Sequence, residues 1–184
     1  MKKALCLVML MMGCTSGGES KSLAEGKALL AAGKHEAAVA ELSKATAEDR
    51  NSMDAWLHLG HAYAGLKRHD NALAAYVAAK KLDRHSIVPH LAHAKVQMEL
   101  GRVEQATSEL NFVVEMDPKN LEALILLGKV SQLPHKLPDG SVGVSRASLE
   151  RAELNLEAAT RLDPNNADAR AELAKVQSTL KEKK

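Results

Sequence analysis

The sequence has little aromatic character, with one Trp, two Tyr and one Phe among 184 residues. Proteins that bind single-stranded nucleic acid normally stack bases on several aromatic side chains. Net charge indicates the same, because 25 Lys and Arg are balanced by 23 Asp and Glu, whereas nucleic-acid binding is associated with a clear basic excess. We therefore expect no nucleic-acid partner.

Motifs for catalysis and cofactor binding are also missing. The sequence contains no HExxH, no G-x-S-x-G, no P-loop and no dinucleotide-binding glycine fingerprint, and each of these supplies groups that its chemistry requires. Two histidine pairs, His58 with His61 and His90 with His93, are three residues apart, but zinc requires a third protein ligand of suitable geometry. We predict a non-enzymatic protein without cofactor or metal, and keep metal binding or catalysis by these histidines as an alternative.

The N-terminus differs in composition from the rest of the chain. Lys2 and Lys3 are followed by the apolar residues 4–12, which as a helix would span about 13 Å, less than half of the ~30 Å hydrocarbon core of a bilayer. This length is typical of a cleaved secretion signal rather than of a transmembrane anchor. We predict a signal peptide over 1–13, and without Lys2 and Lys3 the remaining chain has 23 basic and 23 acidic residues.

The residues from Leu10 to Thr15 resemble a bacterial lipoprotein box, in which a small residue precedes a lipid-bearing cysteine. The resemblance implies that Cys14 carries lipid, that 14–18 forms a short tether, and that the protein faces the periplasm from the outer membrane. With Cys6 in the signal peptide and Cys14 lipidated, the mature chain could form no internal disulfide. The alternative is an ordinary secretory or unprocessed N-terminus.

Beyond this segment the chain repeats every 34 residues. Small residues recur in two registers, which are Gly26, Gly60, Ala94 and Gly128, and Ala38, Ala72 and Ala106. Small side chains at fixed positions allow helices to approach closely where they cross. A unit of this length is a helix pair that cannot bury its own apolar face, so we predict that the units stack into an elongated all-α solenoid with a concave surface.

The repeat divides the chain into four units and a last helix. The units are 19–52, 53–86, 87–120 and 121–166, and a capping helix with a short tail occupies 167–184. The fourth unit carries a 12-residue insertion near 134–145, where Pro138-Asp139-Gly140 predicts a loop that Ser145 or Ser148 ends by capping the next helix. We therefore predict eight paired helices and a ninth that caps the stack.

Helix ends are marked by residues that can satisfy free backbone groups. A hydroxyl or amide side chain precedes the first helix of the second, third and fourth units and the capping helix, at Ser52, Ser86, Asn120 and Asn166. Such residues accept hydrogen bonds from first-turn N–H groups. Ser22 with Glu25 forms a candidate capping box in the first unit, and Pro118 and Pro164 lie where a helix must stop.

The second unit resembles the tetratricopeptide family. The resemblance is carried by Trp56, Leu59, Gly60 and Tyr63 in its first helix and by Ala72, Tyr76 and Ala79 in its second. It implies a right-handed superhelical solenoid of antiparallel helix pairs, A and B. It also implies that certain helix A positions line a concave groove that holds a partner.

Those helix A positions form parallel rows. The basic row, one residue after the Gly/Ala register, is Lys27, His61, Lys95, Lys129 and Lys175. The apolar row, four residues earlier, is Leu23, Leu57, Leu91, Ile125 and Ala171, and a third row, three residues later, begins Leu30, Ala64 and Met98. We predict that these rows bind an acidic, amphipathic peptide segment, the alternative being that the lysines are merely solvated.

The third unit breaks the apolar pattern of helix A. His90, His93 and Gln97 stand where the second unit has Trp56, Leu59 and Tyr63. One interpretation is local degeneracy, with these side chains hydrogen-bonded or half-exposed in a loosely packed unit. The other is a functional polar seam that acidification loosens first, because burial disfavours the charged form of histidine.

Taken together, the sequence predicts a non-catalytic protein–protein interaction adaptor or assembly factor, anchored by lipid in the bacterial envelope. Its partner would be a protein or peptide of the envelope, and its membrane contact would run through the N-terminal lipid. A self-associating structural spacer is the alternative, although polar Arg170 and Gln177 on the last helix are typical of a solenoid end that terminates a stack.

Overall fold

The computed structural model describes residues 19–137 and 140–182. Within these ranges the chain forms nine α-helices and one short β-hairpin. The helices are α1 (Lys21–Ala31), α2 (His35–Glu48), α3 (Met53–Gly65), α4 (His69–Leu82), α5 (Val88–Glu99), α6 (Val103–Met116), α7 (Leu121–Val130), α8 (Arg146–Leu162) and α9 (Ala167–Glu182). The predicted signal peptide 1–13, Cys14 and the tether lie outside the described residues, and so do Pro138 and Asp139.

Each helix packs against the next, and the A helices form the inner layer of the stack. Besides these sequential contacts, α1 touches α3, α3 touches α5 and α7 touches α9. Among the described residues, the B helices α2, α4, α6 and α8 do not contact one another as extensively as these A helices do. A stack that is tighter along one row of helices curves toward that row, so the A helices line the concave side. The predicted all-α, right-handed superhelical solenoid is confirmed.

The small-residue register marks the crossing of the two helices in a unit. A Cβ atom added to Gly60 would overlap the ring of Tyr76, and one added to Gly26 or Gly128 would overlap a leucine of the facing B helix. Ala72, in the second register, is completely buried. Helix axes can approach this closely only where side-chain bulk is removed, which explains why the register repeats.

Three of the four predicted caps are observed. The side chains of Ser52, Asn120 and Asn166 each accept a hydrogen bond from the backbone N–H three residues later. The prediction for Ser86 is wrong: α5 begins later, after Ile87, without a side-chain cap. The residue three after Ser86 is Pro89, which has no N–H to donate.

Two further local predictions need correction. Ser22 does not cap α1, because Ser20 accepts the capping hydrogen bond from Leu23 N and Ser22 instead donates to Glu48 Oε1 across the unit. The insertion is more ordered than the predicted loop: β1 (His135–Lys136) pairs antiparallel with β2 (Val142–Gly143). Gly140 supplies the positive φ of 85° in the turn, and Ser145 caps α8.

Helix α9 closes the described stack. Its buried residues Ala169 and Val176 face α7 and α8, and Gln177 Nε2 donates to Glu153 Oε1 of α8 at 3.1 Å. The opposite face of α9, with Arg170, is exposed. No helix in the described part of the chain has both the length and the apolar character needed to cross a bilayer.

Candidate partner-binding groove

The lysines of the basic row are all paired with carboxylates. Lys27 Nζ lies 3.0 Å from Asp54 Oδ2, Lys95 Nζ lies 2.5 Å from Glu122 Oε1, and Lys129 Nζ lies 2.7 Å from Asp168 Oδ2. In each case the carboxylate belongs to the first turn of the next A helix. Lys175, on the last helix, lies 3.7 Å from Glu172 of the same helix. Hydrogen bonds from Lys27 to Glu19 and Asp54 raise its pKa.

The concave face is therefore a ladder of ion pairs and not a surface with a net positive charge. The sequence prediction of a cationic row is wrong in this respect, because it considered one helix position without its neighbour on the following helix. The sequence does contain a signal for this pairing, because an acidic residue, Asp54, follows Lys27 by 27 residues. The interval is 39 residues for Lys129, because the insertion lengthens the fourth unit.

The ladder is interrupted between the second and third units. His61 replaces lysine in the basic row, and Val88 holds the register position that Asp54 and Glu122 hold in the neighbouring units. Val88 is 47% exposed. We call His61 and Val88 the neutral step. At this junction, unlike the other three in the described groove, the basic-row residue is not paired with a carboxylate from the first turn of the next A helix.

His61 is held by a buried hydroxyl. Its Nδ1 lies 3.0 Å from the Oη of Tyr76, and Tyr76 is 1% exposed. We assign Tyr76 as the donor, because its buried hydroxyl hydrogen would otherwise lack an acceptor. Burial, together with the nearby His58 and Lys95, lowers the pKa of His61, and burial raises the pKa of Tyr76. His61 is therefore neutral at pH 7, with its Nε2–H available to the groove.

Four of the five residues of the apolar row lie beneath the surface, and the fifth, Ala171 of α9, is exposed. Leu23, Leu57, Leu91 and Ile125 are between 6% and 9% exposed, and all four belong to clusters between helices. Their expected role as direct partner contacts is therefore corrected: these side chains already pack in the core. The third row remains partly accessible at Leu30, Ala64 and Met98, which are half-buried.

Two of the polar residues of the third unit, His90 and His93, lie against a carboxylate that the sequence analysis did not consider, whereas Gln97 is buried in α5 without a partner for its Oε1 among the described residues. Glu109 of α6 receives Lys80 Nζ of α4 at 2.5 Å, and its other oxygen lies 2.6 Å from His90 Nδ1. His93 Nδ1 lies 3.1 Å from Glu109 Oε1. We call Lys80, His90, His93 and Glu109 the Glu109 cluster.

The Glu109 cluster is compact. The side chains of all four members are at most 16% exposed, and the His90 ring stacks on Phe112 with centroids 4.0 Å apart. Burial alone would raise the pKa of Glu109, but contacts with His93 and Lys80 outweigh it and lower the pKa to about 2. Burial also lowers the pKa of His90. The described residues include no group of three or more ligand side chains arranged to hold a metal ion.

Comparison with known proteins agrees with the geometry. The family profile described as Tetratricopeptide repeat matches residues 23–87. Residues 23–87 therefore carry tetratricopeptide repeats. Superkiller complex protein 3 of Mus musculus is 31% identical over an alignment of 109 residues, which covers 55% of this chain and 7% of that protein. The chain thus spans less than a tenth of the length of the curated relatives it matches.

Solved tetratricopeptide-repeat structures share the fold. The structure described as MamA RS-1 ArsTM double mutant superposes with a TM-score of 0.73 at 19% identity, covering 88% of this chain and 86% of that one. The first TPR of Spaghetti (RPAP3), bound to the HSP90 peptide SRMEEVD, gives 0.59 at 22% identity, covering 72% and 95%. The fold suggests a protein–protein interaction adaptor, since such repeats are generally non-catalytic modules that bind peptides or proteins.

Proposed function

We propose that this protein is a non-catalytic adaptor that holds an extended segment of a partner protein in the concave groove of its A helices. The observation that carries the proposal is the inner layer of A helices, in which contacts join α1 to α3, α3 to α5 and α7 to α9, and the Lys95–Glu122 ion pair joins α5 to α7. Polar side chains lie along its exposed face. A repeat solenoid of this shape offers an extended concave surface, which is the usual binding surface of such proteins. The Spaghetti domain bound to an HSP90 peptide provides a precedent in the same fold.

The paired lysines change the expected chemistry of the partner. A carboxylate of the partner would have to compete with Glu122 for Lys95 and with Asp168 for Lys129. Exposed ion pairs contribute little to stability, with a median of about 0–1 kcal/mol, so the existing pairs compete only weakly with a partner's carboxylate. Even weak competition reduces any preference of the groove for acidic partners. Acidity is therefore no requirement for the partner, and the groove can accept an amphipathic segment of no net charge.

The groove assignment can be tested by site-specific crosslinking. A photoreactive amino acid at position 95, in the groove, should crosslink to a partner from cell-envelope extract. The matched control is the same substitution at Glu104, which is exposed on the B helix α6. Equal crosslinking to the same protein from both positions would contradict binding in the groove.

A charge exchange provides a second test that preserves the fold. Lys95→Glu with Glu122→Lys keeps the ion pair but reverses its direction across the groove. We expect weaker partner capture, while the same exchange at the exposed α8 pair, Arg146→Glu with Glu150→Arg, should have no effect. If the two exchanges behave alike, the partner does not contact this part of the groove.

We further propose that lipid on Cys14 anchors the protein to the bacterial envelope, with the solenoid facing the periplasm. The support is the sequence from Leu10 to Thr15, which resembles a lipoprotein box. Cys14→Ser should move the protein from the membrane fraction to the soluble fraction without unfolding it. One acyl chain gives only marginal attachment, so stable anchoring implies several chains. An unchanged distribution would refute the lipid anchor.

A further inference from the structure

At one junction of the groove the basic row meets no carboxylate from the first turn of the next A helix, and the ion pair there, Lys67 with Glu99, lies at the C-terminal ends of α3 and α5. At the junctions after the first, third and fourth units, a lysine of one A helix is neutralised by a carboxylate of the next. At the junction after the second unit the corresponding residues are His61 and Val88. This neutral step lies between charged steps on both sides, near the middle of the described groove.

The chemistry of the neutral step suits an apolar side chain. Val88 is 47% exposed at the start of α5, in the register position that carries a carboxylate in the following unit. An apolar side chain placed against Val88 removes apolar surface of both partners from water, which is favourable in proportion to the area buried. At the other steps, a binding side chain must instead be accommodated beside a formed ion pair, whose charged groups lose hydration when covered.

His61 adds a directional contact at the same place. Its Nδ1 is occupied by the Tyr76 hydroxyl, so the neutral ring presents Nε2–H as a donor. Two titratable groups close to His61 are His58, whose ring centroid lies 5.9 Å away, and Lys95 of α5, whose charge lowers the pKa of His61. His58 Nδ1 is itself directed at the backbone oxygen of Asp54, at 2.8 Å. A backbone carbonyl of an extended peptide is a suitable acceptor for His61 Nε2–H.

We propose that the neutral step is the specificity-determining point of the groove, and that it takes one apolar side chain from an extended partner segment without net charge. This inference rests on the proposed function and deepens it, because it names the chemistry of the partner. Recognition then resides in a hydrophobic contact with Val88 and a hydrogen bond from His61. The neighbouring ion pairs stay formed on both sides and disfavour segments that are charged throughout.

The probe is a display library of random nine-residue peptides, selected against the protein. We expect the enriched peptides to share one apolar residue at a fixed position, with no excess of Asp and Glu. Enrichment of uniformly acidic peptides would overturn the inference while leaving groove binding intact. Failure to enrich any peptide would count against both the inference and the proposed function.

The second stage measures the affinity of one enriched peptide, made synthetically and labelled with a fluorophore, by anisotropy. Val88→Glu should weaken binding about tenfold or more, whereas Val88→Leu should preserve it. The matched control is Val77→Glu on the B helix α4, where the valine is 37% exposed and binding should not change. Circular dichroism checks that each variant is folded.

The outcomes separate the two proposals. If Val88→Glu binds as tightly as the wild type while the exchange of Lys95 and Glu122 weakens binding, the groove is the binding surface and the neutral step is not its specificity point. If neither variant changes the affinity, the peptide binds elsewhere and both proposals fail.

Discussion

The second and third units share one backbone arrangement but have different interiors. The second unit is closed by Tyr76, which packs on Gly60 and lies in a cluster of alanines and leucines. The third unit keeps Ala94 at the Gly60 position but buries a charged cluster around Glu109 beside it. Repeat geometry is therefore set by the small-residue register, whereas the remaining interior positions can be apolar or polar, and among the described residues the buried Gln97 Oε1 has no hydrogen-bond partner.

Removing the Tyr76 side chain should cause the largest loss of stability and should act on the second unit. Tyr76→Ala deletes a side chain that is 1% exposed and leaves a cavity, so we expect a loss of about 3–5 kcal/mol in the free energy of unfolding. Urea denaturation measures the loss. Tyr76→Phe, which removes only the hydrogen bond to His61, should cost about 0.5–1.5 kcal/mol. Similar losses for the two variants would mean that the hydroxyl, not the packing, closes the second unit.

Neutralising the Glu109 carboxylate should instead destabilise the third unit. Glu109→Gln leaves Lys80 largely buried and without its counter-charge, and removal of one partner from a buried pair is costly. Because the site is not fully buried, we expect about 2–3 kcal/mol, below the usual range for deeply buried pairs. Glu104→Gln, on the exposed face of the same helix, should change stability by no more than about 0.5 kcal/mol. Hydrogen exchange should show the loss in α5 and α6 first.

The register itself can be tested by overpacking. Ala72 is completely buried at a helix crossing, so Ala72→Leu should cost about 1–3 kcal/mol. The same change at Ala64, which is half-buried on the groove side of α3, should cost much less. Thermal denaturation compares the two variants, and equal shifts in Tm would show that the assigned phase of the helices is wrong.

Acidification should give the smallest of these effects on stability, and the effect should differ between units. The pKa of His90 is lowered from 6.5, so its folded form favours the neutral state and stability falls as the pH drops below 6.5. The pKa of Glu109 is lowered from 4.5 to about 2, so its contribution is lost only as the pH falls through that lower window. We expect amide protection in α5 and α6, and in α3 around His61, whose pKa is also lowered, to decrease before that in α1 and α2 between pH 7 and pH 5. Uniform protection at both values would contradict a pH-sensitive third unit.

Sequence reasoning recovered the fold because small residues and helix ends repeat visibly. Gly60 and Ala72 mark helix crossings, and Asn120 marks the start of a helix, by local rules that need no knowledge of neighbours. The wrong prediction of a cap at Ser86 also has a local cause, because Pro89 has no N–H to donate the capping hydrogen bond. A closer look at the residue three positions later would have corrected it.

The groove was predicted less well, because its properties depend on pairs of residues from different helices. Lys95 and Glu122 belong to different units, and only their stacking shows that the lysine is neutralised. The same is true of Glu109, which one helix supplies to histidines on another and to Lys80 on a third. Burial of Leu57 in place of the expected exposure likewise depends on how closely α3 and α5 approach.

The sequence by itself determined the repeat length, the helix pairs and their crossing points, because these follow from side-chain size and capping within one unit. Tertiary structure alone decided which charges cancel, which polar groups are buried together and where the concave face is left neutral at His61 and Val88. The physical reason is distance: electrostatic and packing energies depend on separations of a few ångströms across helices, and those separations exist only after the units have stacked.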